Sequence, residues 1–265
     1  MFVLMNSPLA LVLAAAGGLC LLVGGWYLTA TTREPQGSLK PALLLFGVAC
    51  LAIAGQEYAA LGVYRAVDID AYVRAVRLHT VFALTAPVAI VWFVAVYTDM
   101  RARWLLWIYT GAAASVIVVN LASPATLHFS EVLEVGGVVL PWGERLAQAT
   151  AISSTWPPLA DYLIILFCGL CAYALWTDSG RSAGRSRRPL EAGLAVLIAT
   201  IVVELLDPRR VSALPVDELG FLVFVIVVGL GLWRGLESRD TSAGDETGNS
   251  PKANATRGPA RPARS

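Results

Sequence analysis

Seven long apolar runs alternate with short polar segments along this chain, and the length of those runs decides its fold class. They extend over residues 8–30, 41–64, 77–97, 104–122, 159–176, 190–206 and 219–236, the sixth being the shortest. A helix rises about 1.5 Å per residue and the hydrocarbon core of a bilayer is about 30 Å thick, so about 20 mostly apolar residues cross it. Each run is apolar around its whole circumference, and none alternates with the period of two that marks a barrel strand. Backbone amides in hydrocarbon are satisfied only within helices or closed barrels. The pattern therefore predicts an all-α membrane protein, a seven-transmembrane-helix bundle over residues 1–237. No basic residue precedes the first run, so it is expected to remain as a helix and not to be removed as a secretory leader.

The longest polar gap, 123–158, has a pattern of its own. Its centre, "TLHFSEVLEVGGVVLPW", places β-branched and aromatic residues on both sides of Gly136-Gly137, which predicts a short extracellular β-hairpin with a glycine turn between helices four and five. So small a hairpin needs a surface to lie on, and the mouth of the bundle is the one available. Pro141 is expected to end the strand, Gly143 to permit a tight turn, and Glu144 with Arg145 to begin a helix on the membrane surface. Trp142 and Trp156 suit the water interface, where an indole buries its ring and keeps its N–H wet. The stretch then reads as the corner of a lid, with the tryptophans as interface anchors or as an aromatic wall facing a ligand.

Composition agrees with the pattern. The chain is 57% hydrophobic and 15% charged, with a mean hydropathy of +0.65, far from the balance of a soluble domain. Its net charge of +1 averages two unlike faces. Of the 20 Lys and Arg, fourteen fall on the side that holds the C-terminus, including Arg101, Arg103 and the basic segment 181–188. Basic residues stay inside, so the N-terminus is expected outside the plasma membrane and the C-terminus in the cytoplasm. Residues 238–265 contain no large apolar side chain and read as a disordered cytoplasmic tail. The basic 181–188 loop is a topology anchor at the inner leaflet or a docking site for a cytoplasmic partner.

Ionisable groups at membrane depth are costly and face the interior, pair, or line a wet cavity. Glu57 is the deepest acid of the second run. Arg74 and Arg77 lie three apart at the start of the third, on one face, and a Glu57 pair with Arg77 or Arg74 is the expected contact, serving as a helix lock or as part of a site. Glu204 closes the sixth run and has outer arginines as candidate partners. Together with Asn120, Trp142, Glu144 and Trp156, these residues make up the candidate ligand site. Cys20, Cys50, Cys168 and Cys171 all lie within apolar runs and read as packing residues, not as a metal or redox site. No metal, cofactor, catalytic residue or nucleic-acid partner is expected. Small residues such as Gly231 and Gly235 serve packing within one chain or a homodimer.

The span 40–236 resembles the seven-helix membrane input domain at the N-terminus of many prokaryotic sensor histidine kinases and related signalling proteins. The resemblance rests on "VWFVAVYT", "NLASPATLHF", the hairpin through "LPWGE", "STWPPLADYLIILFCGLCAYALW" and "DELGFLVFVIVVGLGLW". It implies a domain that perceives a signal and passes it through the last helix to cytoplasmic modules. The sequence departs from that pattern after Leu236, where no dimerisation histidine or ATP-binding segment follows. Retinal chemistry through a Schiff base is excluded, because Lys40 and Lys252 are the only lysines and neither lies within a span. The expected function is a sensory input module that takes a small ligand or a membrane state at its outer face and relays it to a kinase or regulator. The alternative is a small-molecule or ion transporter or channel.

Overall fold

The computed structural model describes residues 7–33, 39–140, 142–154, 157–177, 187–206 and 216–248. Seven helices and one two-stranded antiparallel sheet follow in the order α1 (Pro8–Arg33), α2 (Lys40–Tyr64), α3 (Ile69–Tyr97), α4 (Arg103–Ala122), β1 (Phe129–Val139), β2 (Arg145–Ser153), α5 (Pro157–Thr177), α6 (Arg188–Leu206) and α7 (Val216–Gly248). All seven helices are long and apolar enough to span a membrane.

The ends of the helices depart from the hydropathy pattern for local reasons. α3 begins at Ile69, two turns before its apolar run, because the Asp68 carboxylate caps it by accepting from the Ala71 N–H at 2.7 Å. Its 29 residues reach about 43 Å, longer than the roughly 30 Å that a hydrocarbon core measures. Its far end stops at Asp99, which adopts φ 50°, a conformation that Asp tolerates better than most residues. α7 continues to Gly248, well into the stretch expected to be disordered. Residues 249–265 lie outside the described ones.

α2 and α3 form the centre of the bundle. α1 and α7 flank α2, α4 and α5 flank α3, and α6 closes against α5 and α7. Phe46 of α2 is fully buried, with Tyr27 of α1, Phe93 of α3 and Phe224 of α7 around it at ring-centroid distances of 5.0, 5.3 and 6.3 Å. Glycines let the helices approach. A Cβ on Gly24 would lie 3.0 Å from the Gly47 carbonyl, and one on Gly55 would lie 2.5 Å from the Phe82 ring. A Cβ on Gly231 would lie 2.5 Å from Pro189 of α6, so this glycine serves packing within the chain. Large apolar side chains such as Leu22, Trp104, Trp107 and Trp176 are exposed on the outside of the bundle.

The sheet differs from the expected hairpin. β1 runs straight through Gly136-Gly137, and the chain reverses at Leu140–Glu144, with Val139 opposite Arg145. There the Leu140 N–H donates to the Glu144 carbonyl at 2.7 Å and the Gly143 N–H to the Leu140 carbonyl at 2.8 Å. Gly143 takes φ 87°, which only glycine adopts readily. Arg145 therefore opens a strand and not a surface helix. The hairpin lies on the bundle through Leu140 and Leu146, which pack with Leu9 and Leu13 of α1 and Ala60 of α2.

Candidate functional site

Polar side chains gather at the hairpin end of the bundle in three groups. The deepest is a buried layer. Gln56 and Glu57 of α2 are each 1% exposed, and Thr80 of α3 is also buried. The close approaches Gly62–Ala75 and Gly55–Phe82 fix the α2–α3 register and set Glu57 level with Thr80. Next to Thr80, His79 Nε2 stands 3.9 Å from Oε1 of buried Glu218, which ties α7 to the same layer. The Gln56 Oε1 is buried and has no hydrogen-bond partner among the described residues.

The second group is a knot that holds the chain leaving α4. Asn120 is fully buried; its Nδ2 donates to the Arg77 carbonyl at 3.1 Å and its Oδ1 accepts from the Leu127 N–H at 3.0 Å. The Arg77 guanidinium donates to the carbonyls of Ala125 at 2.7 Å, Pro124 at 2.8 Å and Ser123 at 2.5 Å. Arg77 is thus committed to backbone carbonyls and not to Glu57, and no Glu57 pair with Arg74 is among the ion pairs of the described residues. Among the described residues the ion pairs are His79–Glu218, Arg103–Asp99 and Arg187–Glu191. The cause is geometric: Cα–Cβ bonds tilt toward a helix's own N-terminus, so in antiparallel neighbours Arg77 leans toward the hairpin and Glu57 away from it. Arg74 is exposed on α3.

The third group clasps the hairpin turn to α1. The Glu144 carboxylate accepts from the Ser7 hydroxyl, from Trp142 Nε1 at 2.9 Å and from the Leu9 N–H at 3.4 Å. Ser7 also caps α1, accepting from the Ala10 N–H at 3.1 Å. Trp142 is thus committed through its N–H to Glu144, with its ring half exposed. Glu204 lies exposed on α6, and Trp156 falls outside the described residues. The candidates accordingly divide: Trp142 and Glu144 meet in the clasp, Arg77 and Asn120 in the knot, Glu57 lies in the buried layer, and Arg74 and Glu204 stand apart from all three.

Sequence reasoning missed Ser7 and the His79–Glu218 contact. Ser7-Pro8 was a usable signal, since a serine followed by a proline before an apolar run marks a helix start. The segment Gly180-Arg181-Ser182-Ala183-Gly184 has the GxSxG spacing of a hydrolase nucleophile. It lies outside the described residues and follows a helix, where that motif requires a strand.

Burial raises the Glu144 carboxyl, but the hydrogen bonds from Ser7, Trp142 and Leu9, with the positive charge of Arg65, outweigh it and hold the group below its ordinary value. A lowered folded-state value means that the clasp is complete above the ordinary carboxylate range and is lost as pH falls below that range, through the lowered value. The protection factors of the amides at 142–146, that is, exchange rates corrected for their intrinsic pH dependence, should fall on acidification through that window. Glu144→Gln should remove the pH dependence and speed exchange at neutral pH by about tenfold, the worth of one charged hydrogen bond in a half-exposed setting. Exchange followed by mass spectrometry checks both.

No family model matches the chain, and no curated protein or solved structure matches it either. The functional reading therefore rests on the arrangement of these groups.

Proposed function

We propose that this chain is a multi-pass plasma-membrane protein with its hairpin end outside the cell, and that it works as a sensory input module. It perceives a ligand or membrane state at the outer face and passes the change to a cytoplasmic kinase or regulator. The orientation is supported by the basic residues at the other end of the bundle, Arg101, Arg103, Arg187, Arg188 and Arg234. The resemblance to seven-helix input domains points the same way. The observation that carries the reading is the hairpin, held over the bundle mouth by the Glu144 clasp, above a buried layer in which α7 takes part through Glu218. A change that releases the hairpin has a short route to α7, the helix that leads to the other end.

The test uses the clasp itself. Spin labels at Ile108 of α4 and Arg234 of α7, with the protein in lipid nanodiscs, report the position of α7 at the end far from the hairpin. Glu144→Ala should shift that distance by about 1–2 Å or more, the usual scale of a signalling helix displacement. An unchanged distance with a released hairpin overturns the sensory reading. The buried Gln56 and Glu57 favour one second reading, transport of protons or cations. Liposome flux that Glu57→Gln abolishes would establish it.

A further inference from the structure

β1 carries a feature that neither its backbone nor its packing demands. Gly136 and Gly137 sit in the strand interior, opposite Gln148 and Ala147. Glycine weakens a strand at such positions, through chain entropy and the loss of a side chain to pack. Neither has a positive φ, since Gly143 is the one described glycine that does. A Cβ would meet nothing closer than 3.8 Å at Gly136 and 3.9 Å at Gly137, so neighbours do not exclude one. What the pair provides is bare backbone on one wall of a cleft.

That cleft, of about 620 Å³, opens between the hairpin and the ends of α1 and α2, and its size falls within the roughly 300–1,000 Å³ usual for small-ligand sites. Leu9, Leu61 and Leu146 give it an apolar side, while Arg65 and Arg145 stand on it as cations. The carboxylate beside them, Glu144, already accepts from Ser7, Leu9 and Trp142, and neither arginine forms an ion pair among the described residues. Two guanidiniums outside ion-pair distance of any described carboxylate, Arg65 acting on Glu144 only through its charge, stand beside apolar wall and bare peptide and match an anion joined to a short apolar chain.

We propose that this cleft binds the head of an amphiphilic anion, a carboxylate or phosphate held by Arg65 and Arg145, with its first carbons against Leu9, Leu61 and Leu146 and its flank on the Gly136-Gly137 backbone. The inference rests on the sensory reading and deepens it by naming site and ligand class. The anion comes from a membrane lipid headgroup or from a free amphiphile, because the cleft lies at the level of the helix ends, where headgroups and water meet. Bound there, it touches the hairpin, α1 and α2 together and favours the closed hairpin.

Hexyl phosphate titrated against the full chain in phosphatidylcholine nanodiscs, followed by thermal shift and calorimetry, tests the free form; nanodiscs containing phosphatidylglycerol test the headgroup. The expected result is saturable binding in at least one medium, weakened by about tenfold or more in the double variant Arg65→Gln/Arg145→Gln and abolished in Gly137→Val, where the new side chain fills the cleft. Arg101→Gln, at the other end of the bundle, should bind as the wild type does. Saturation by phosphatidylglycerol alone assigns the headgroup as the source, and saturation by hexyl phosphate in neutral lipid assigns a free amphiphile. Equal binding in the wild type and the arginine variant overturns the site, as does saturable binding in neither medium. If Gly137→Val lowers amide protection in the hairpin, the exposed arginine pair alone decides. Binding that depends on the arginines but leaves the Ile108–Arg234 distance unchanged sinks the sensory reading and leaves the site standing.

Discussion

Replacing Asn120 by alanine will destabilise the bundle by about 2–4 kcal/mol, read as a lower thermal midpoint in detergent or nanodiscs. The side chain is fully buried and its two polar ends both reach backbone, the Arg77 carbonyl on α3 and the Leu127 N–H after α4. Alanine leaves the Leu127 N–H, itself on a fully buried residue, without its acceptor, and an orphaned buried donor costs about 1–3 kcal/mol. The Arg77 carbonyl loses less, because a helical carbonyl keeps its intrahelical donor. The lost packing adds the remainder. Asn120→Asp keeps the acceptor but buries a carboxyl opposite a carbonyl, so it should be no milder. A ligand-binding asparagine gives the opposite outcome, a stable protein with altered binding, so an unchanged midpoint in the alanine variant would place Asn120 back among ligand contacts.

The same residue shows what the sequence discloses and what it hides. Asn120 stands out because a fully apolar run has no other use for a carboxamide, yet its partners are backbone groups, and no residue pattern announces those. The seven helices were legible because each carries an apolar run about as long as a helix needs to cross a bilayer. The start of α3 was not, because its first turns stand clear of the apolar run and depend on the Asp68 cap. The hairpin was legible from β-branched and aromatic residues, but its turn was placed at Gly136-Gly137, where glycine serves a cleft, instead of at Gly143, where φ 87° demands it. Glu57 was recognised as buried, while its expected arginine partners lean the other way along the antiparallel helices. Ser7 and Glu144, 137 positions apart, meet only because the hairpin folds back over α1. Such a contact depends on the whole fold and leaves no mark in local spacing.

The second large effect is expected where α2 and α3 come closest. A Cβ at Gly55 would lie 2.5, 2.6 and 2.7 Å from three atoms of the Phe82 ring, nearer than side chains pack. Alanine can be met by a small swing of the half-buried ring, but leucine cannot. Gly55→Leu must drive Phe82 out of its place or separate the helices, at a cost of about 3 kcal/mol, the upper end of what overpacking usually brings. Phe82→Ala in the same chain frees that volume, so the double variant should recover most of the lost midpoint, and coupling of this kind is the signature of direct contact. If the two substitutions simply add, the contact is not what limits the approach of α2 to α3. The distinction matters for function because Gln56 and Glu57 follow Gly55 directly and Thr80 lies half a turn from Phe82. Any separation there opens the buried polar layer to water, and a buried carboxyl that gains water loses the burial that now confines it. Leucine at position 55 should therefore speed exchange of the Gln56 and Glu57 amides more than that of residues near Phe46, where the aromatic cluster is intact. Equal loosening at both levels would mean that the bundle yields as one body, with no separate give beneath the hairpin.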